Sequence, residues 1–123
     1  MFEFILEYYI QGEEGIGLNA KEFQKWIDHY YQKRGWSDLD IFIRIGFLAE
    51  ETGEVARAIR ALEIGRDRPD EEAESYDQCR QELTEELGDV QGNVAVIANK
   101  YNIDIEEIFS QHKNKLSRRY EER

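Results

Sequence analysis

Two acidic patterns in this chain carry residue types and spacings that can do chemistry. The first is Glu50, Glu51 and Glu54 within "LAEETGEVARAI" (48–59); the second is Glu82, Glu86 and Asp89 within "QELTEELGDVQGNV" (81–94). Carboxylates three or four residues apart share one helix face. The stripe Phe47, Glu51, Glu54, Ala58 runs beside the apolar seam Leu48, Val55, Ile59. Likewise Glu82, Glu86, Asp89 and Asn93 run beside Leu83, Leu87, Val90 and Val94. If the two seams pack together, Glu51, Glu54, Glu86 and Asp89 converge at the edge of the core. Carboxylates gathered in a small volume repel, and desolvating each is costly. Arg57 and Arg60 fall off the stripe, so a hard divalent cation such as Mg²⁺ or Mn²⁺ is the natural partner for an all-oxygen set. The competing reading is a solvated face, because glutamate is a good helix former and either cluster alone commonly means no more than that. Gly53 and Gly88, beside the acidic residues, are read as permitting close helix approach.

Other chemistries lack their signatures. A di-iron bundle needs Glu-x-x-His pairs, and neither His29 nor His112 has Glu three residues before it. There is no EF-hand loop, no phosphate loop with Gly-Lys, and no zinc spacing around the single cysteine, Cys79, which reads as a bystander thiol on a helix.

The elements that must position these groups are helical. Asn19 followed by Glu22 forms a capping-box pattern for a helix over about 20–34, with Phe23, Ile27, Tyr30 and Tyr31 on one side and Gly35 at its end. Ser37 or Asp38 is the expected cap of a second helix reaching Ile64 and ended by Gly65. Its seam is Ile41, Ile45, Leu48, Val55, Ile59 and Leu62. The charged stretch "RDRPDEEAE" holds the single proline, Pro69, and leads to a third helix expected from the low 70s to about Tyr101, with the seam Leu83, Leu87, Val90, Val94, Ile97 and Tyr101. Asn102 marks a turn and Asp104 caps a last helix. The second and third helices are joined by a short connection and are expected to lie antiparallel. Residues 1–18, with the glycine-rich "QGEEGIGL", read as an N-terminal arm, and 19–123 as one helical domain.

Composition sets limits. A net charge of −11 argues against binding a nucleic acid polymer, which relies on clustered Lys and Arg. No stretch approaches the ~20 apolar residues of a membrane span, since "IFIRIGFLA" is short and contains Arg44. "MFEFILEYYI" carries Glu3 and Glu7 and no basic n-region, unlike a signal peptide. With one cysteine excluding an internal disulfide, a cytoplasmic protein with no membrane partner is expected. Helices as apolar as "IFIRIGFLA" need more cover than one small bundle supplies, so at least a homodimer is expected.

At this point the residues resemble a known family. "LAEETGEVARAI" followed by "EELGDVQGNV" resembles the paired EExxE and ExxD motifs of the MazG-like all-α nucleoside triphosphate pyrophosphohydrolases, a superfamily that includes dimeric dUTPases and dCTP pyrophosphatases. "QKRGWSDLD" is similar to the element that precedes the acidic helix there. The resemblance spans about residues 20–120. It implies an all-α, antiparallel four-helix subunit assembling as a homodimer or homotetramer, and Mg²⁺-dependent cleavage of a nucleoside triphosphate between its α- and β-phosphates to give the monophosphate and pyrophosphate. It implies metal ligation by Glu51, Glu54, Glu86 and Asp89, with Glu50 orienting a ligand or a water and Glu50 or Glu54 accepting the water's proton. Trp36 matches an aromatic lying against the base, and Asn93 a ligand contact. In "NKLSRR", Lys115 matches a basic residue reaching the phosphates, with Arg118 or Arg119 behind it. The segment "GRDRPDEEAESYDQCRQ" between the motifs is longer than in compact members, and residues 1–18 match nothing in the family. The alternative function is a non-catalytic helical oligomer that binds nucleotide, metal or a partner protein.

Overall fold

The computed structural model describes residues 17–65 and 74–120. Among them the chain is all-α: α1 (Ala20–Lys33), a single 3₁₀ turn (Trp36–Asp38), α2 (Ile41–Ile64), α3 (Tyr76–Lys100) and α4 (Ile105–Tyr120). Most of the expected arm, and the connection around Pro69, lie outside the described residues. No described helix is long and apolar enough to cross a membrane.

Local chemistry sets most helix ends. The Asn19 side chain accepts from the Glu22 amide at 2.8 Å, and the Glu22 carboxylate accepts from the Asn19 amide at 3.3 Å, completing the capping box. We expect Asn19→Ala to destabilise the protein by about 1 kcal/mol, read as a lower urea midpoint with an unchanged slope. Gly35, just past the end of α1, has φ of 72°, a left-handed conformation that favours glycine.

Two boundaries differ from expectation. The cap of α2 is Asp40, whose carboxylate accepts from the Phe42 amide at 2.8 Å; Ser37 and Asp38, expected in that role, are consumed in the 3₁₀ turn. α3 begins at Tyr76 rather than in the low 70s, because Ser75 and Gln78 form their own reciprocal cap. Gln78 N donates to Ser75 Oγ at 3.2 Å, and Ser75 N donates to Gln78 Oε1 at 3.0 Å. The end of α3 is a Schellman turn, with Ile103 N donating to Ala98 O at 2.9 Å and Asn102 N to Asn99 O at 3.3 Å. Asn102 sits in it at φ 55°.

The described residues fall into two compact units, one running to Asp38 and resuming at Ala95, the other spanning Leu39–Val94. In the first, Ile27, Ala95 and Val96 form the buried cluster, with Phe23, Trp26 and Tyr31 packed against it. Gln24 ties α1 to the turn before α4. Its Nε2 donates to Ile103 O and its Oε1 accepts from Ile105 N, both at 2.8 Å.

The second unit is the helical pair of α2 with most of α3. Contacts join Arg44 to Asn93 and bring Glu51 beside Glu86 and Asp89, so numbering rises along one helix as it falls along the other: the pair is antiparallel. The expected seams are less buried than their periodicity suggests. Ile45, Ile59 and Leu87 are exposed, whereas Arg44, Ala58, Cys79 and Asn93 are buried. Cys79, read as a bystander thiol on a helix, is a buried residue of α3. The reason is packing partner, not pattern: an apolar stripe is buried only where something covers it.

A candidate carboxylate metal centre

Glu51, on α2, and Glu86 and Asp89, one turn apart on α3, each offer a carboxylate oxygen, and these oxygens lie within 4.8 Å of one another. Among the described residues this is the group of possible ligands close enough to share one ion. The placement follows from helix geometry. Positions 86 and 89 stand on one face of α3, and the antiparallel pairing lays residue 51 of α2 opposite them.

The electrostatics show the strain of the arrangement. The Glu51 carboxyl is pushed above its ordinary 4.5, first by desolvation and then by the charges of Asp89 and Glu86. A hydrogen bond with Glu86 and the charge of Glu50 act in the same direction. All of these favour the protonated acid. A carboxylate whose folded-state pKa is raised binds its proton more tightly folded than unfolded, so its contribution to stability falls as pH rises through that raised value. Glu51→Gln mimics the protonated acid. In EDTA it is expected to stabilise the protein at pH 7.5, with the gain shrinking as pH is lowered below the Glu51 titration. A gain of equal size at pH 5 and pH 7.5 in urea melts would show that charge repulsion is not its source.

The other expected site residues are placed as follows. Glu54 lies outside the trio and accepts from Arg57 Nη1 at 3.3 Å, an exposed pair on one helix. Arg57, read as off the acidic stripe, in fact reaches back one turn. Glu50 is exposed on α2. Asn93 is buried: its Oδ1 accepts from Arg44 Nη1 at 3.0 Å and its Nδ2 donates to Asp89 O at 3.1 Å. Trp36 packs edge-on to Tyr31 and Tyr30, with ring centroids 5.1 and 6.1 Å away, yet is 43% exposed. Lys115 and Arg118 stand exposed on α4. Gly53 and Gly88 do not mark a close helix approach, because a Cβ built at either meets no atom within 4 Å.

Arg44 was not among the expected site residues. Its signal was a lone cation inside "IFIRIGFLA", three residues after Ile41 and four before Leu48, on the core stripe rather than the solvent face.

The donor set suits a hard divalent cation. Carboxylate oxygens are hard ligands of the kind Mg²⁺ takes in an octahedral shell at ~2.1 Å. With their oxygens within 4.8 Å of one another, side-chain rotation can bring all three onto one ion. Three carboxylates bring three negative charges, and among the described residues no nitrogen or sulfur ligand joins them, which favours Mg²⁺ or Mn²⁺ over zinc.

Comparison with known proteins bears on the family of the chain. An uncharacterized protein of Bacillus subtilis (strain 168), YvdC, is 52% identical over 104 residues, covering 85% of this chain and 98% of its own. No solved structure matches. The sequence pattern of the MazG nucleotide pyrophosphohydrolase domain matches residues 44–123, a span that includes Glu51, Glu86 and Asp89. With both acidic motifs inside that match and most of the chain covered, this protein belongs to the MazG nucleotide pyrophosphohydrolase family.

Proposed function

We propose that this protein is a Mg²⁺-dependent nucleoside triphosphate pyrophosphohydrolase, releasing pyrophosphate and a nucleoside monophosphate by attack of water at the α-phosphorus. The observation that carries the reading is the trio Glu51, Glu86 and Asp89, whose oxygens lie within 4.8 Å in an arrangement unfavourable without a cation.

Glu51, Glu86 and Asp89 would hold the ion, with Glu54 as a fourth ligand once it leaves Arg57. When bound, Mg²⁺ supplies the positive charge that lets a triphosphate approach an acidic surface, and it lowers the pKa of a coordinated water. Glu50 or Glu54 takes the proton from the attacking water; both are carboxylates beside the trio on α2, and a positioned base of this kind contributes roughly 10²–10⁴-fold. Trp36, Lys115 and Arg118 enter through the family pattern, Trp36 as a stacking surface for the base and the two cations as phosphate contacts.

A second copy of the chain is part of this proposal. α2 presents Phe42, 78% exposed, with Ile43 and Ile45, both about half exposed, on a single chain. Apolar side chains in such a group are ordinarily covered. Phe42→Glu is expected to shift the sedimenting species toward the monomer; an unchanged mass would place the subunit contact elsewhere.

The deciding experiment is pyrophosphate release from a panel of canonical and modified ribo- and deoxynucleoside triphosphates, with Mg²⁺ and with EDTA. Release that requires Mg²⁺ establishes the activity and ranks the bases. No release, with Mn²⁺ binding intact, points instead to a nucleotide- or metal-binding module without turnover.

A further inference from the structure

We propose that Arg44 is a positioning residue for the carboxylate centre: through Asn93 it braces α2 against α3, holding Glu51 in register with Glu86 and Asp89 against their mutual repulsion. The inference rests on the reading of that trio as a metal site.

Arg44 and Asn93 are each only 7% exposed. A guanidinium taken out of water is costly unless its hydrogen bonds are met. Here Nη1 donates to Asn93 Oδ1 at 3.0 Å, and the guanidinium carbon lies 5.4 Å from the Phe47 ring centroid. The other end of the Asn93 amide donates to the backbone carbonyl of Asp89 at 3.1 Å. Both polar ends of Asn93 are therefore engaged, one by the opposite helix and one by the residue that offers a carboxylate to the trio.

From Arg44 to Glu51 is seven residues along α2, and from Asn93 to Glu86 is seven along α3 in the opposite chain direction. A link at 44–93 consequently sets the pairing at 51–86, two turns away. A slip of one residue would displace an oxygen by about 1.5 Å along the helix axis, enough to take it out of a Mg²⁺ coordination sphere. Without a cation, three carboxylates whose oxygens lie within 4.8 Å of one another repel; the brace opposes that repulsion.

Affinity for Mn²⁺ alone, followed in the full chain by the EPR signal of the free ion, tests this without nucleotide and without turnover. Arg44→Met keeps the side-chain length and removes the donor and the charge. The brace predicts binding weakened about tenfold, as is usual for partners that orient metal ligands. Asn93→Ala should produce a similar loss, and the double variant should be little worse than either single one. Arg44→Lys, which keeps a charge and a donor, should recover most of the affinity.

The contrary results are distinct. If Arg44 acted only through its charge, removing a cation beside a cation site would tighten binding. If it were only a stability residue, the folded Arg44→Met protein would bind Mn²⁺ like the parent. Either outcome overturns the brace. Should Arg44→Met not fold, unchanged affinity in Asn93→Ala overturns it equally. Absence of Mn²⁺ binding in the unaltered protein would overturn the metal centre itself and the brace with it.

Discussion

Asp89→Asn is expected to reduce turnover by at least ~100-fold, about 2.7 kcal/mol of transition-state stabilisation, while leaving the helical fold intact. Asp89 offers one of the three oxygens lying within 4.8 Å, and its charge is the largest electrostatic contributor to the raised Glu51 pKa after desolvation. Asparagine keeps the shape and one carbonyl oxygen but removes the negative charge that makes the donor set attractive to a hard cation. The same change relieves repulsion when no metal is present. The variant should therefore melt at or above the parent temperature in EDTA and gain less from added Mg²⁺, since a ligand stabilises only in proportion to its affinity for the folded state. Glu54→Gln tests the neighbouring assignment. Glu54 stands outside the trio and pairs with Arg57, so a comparable loss of turnover in that variant would indicate that it acts as base or ligand only in the loaded enzyme. Pyrophosphate release and melting curves with Mg²⁺ and with EDTA read all of these effects. Parent-like turnover in both variants would remove the carboxylates from the mechanism.

The second large effect concerns the fold rather than the chemistry. Gln24→Ala is expected to destabilise the protein by about 2–4 kcal/mol, because the buried Ile105 amide left unpaired costs roughly 1–3 kcal/mol and the part-buried Ile103 carbonyl loses a further bond worth about 1 kcal/mol. Gln24 is 9% exposed and bonds two main-chain groups of the α3–α4 turn, the Ile103 carbonyl and the Ile105 amide. Ile105 is itself buried, so water is a poor substitute there. The Asn99 side chain, on the last turn of α3, in turn donates to the Gln24 carbonyl at 3.3 Å. Against a typical total stability of ~5–15 kcal/mol, this loss is severe. Gln24→Glu separates the two bonds: an ionised carboxylate accepts from Ile105 N but has no proton to donate to Ile103 O. An unfolding free energy for Gln24→Ala, from urea melts, within ~1 kcal/mol of the parent would mean that the turn is held by its Schellman bonds alone.

These two sites were not equally legible. The acidic patterns around Glu51 and Asp89 announce themselves because several like charges beside an apolar seam are conspicuous in one dimension. Gln24 is one polar residue on the face of a surface-type helix, and its partners at 103 and 105 are about eighty residues away. Nothing local distinguishes it from its solvated neighbours. Arg44 was visible only as an interruption in an apolar run, and its value depends on what α3 sets opposite it.

What the sequence determined by itself was the helical content, most helix ends and the identity of the acidic residues. Capping at Asn19, the left-handed turns at Gly35 and Asn102, and three- and four-residue periodicity are short-range effects, decided by sterics and hydrogen bonds within a turn or two. Tertiary structure decided which carboxylates meet. Rotation of α2 and α3 about their own axes, and their relative register, place Glu51 with Glu86 and Asp89 while Glu54 turns to Arg57. It also decided that Arg44 and Asn93 are buried while Ile45 and Leu87 are exposed. The physical reason is that a helix positions its side chains on a cylinder without specifying which side of that cylinder faces a partner. Only packing between segments distant in the chain fixes that angle, and the carboxylate centre depends on it.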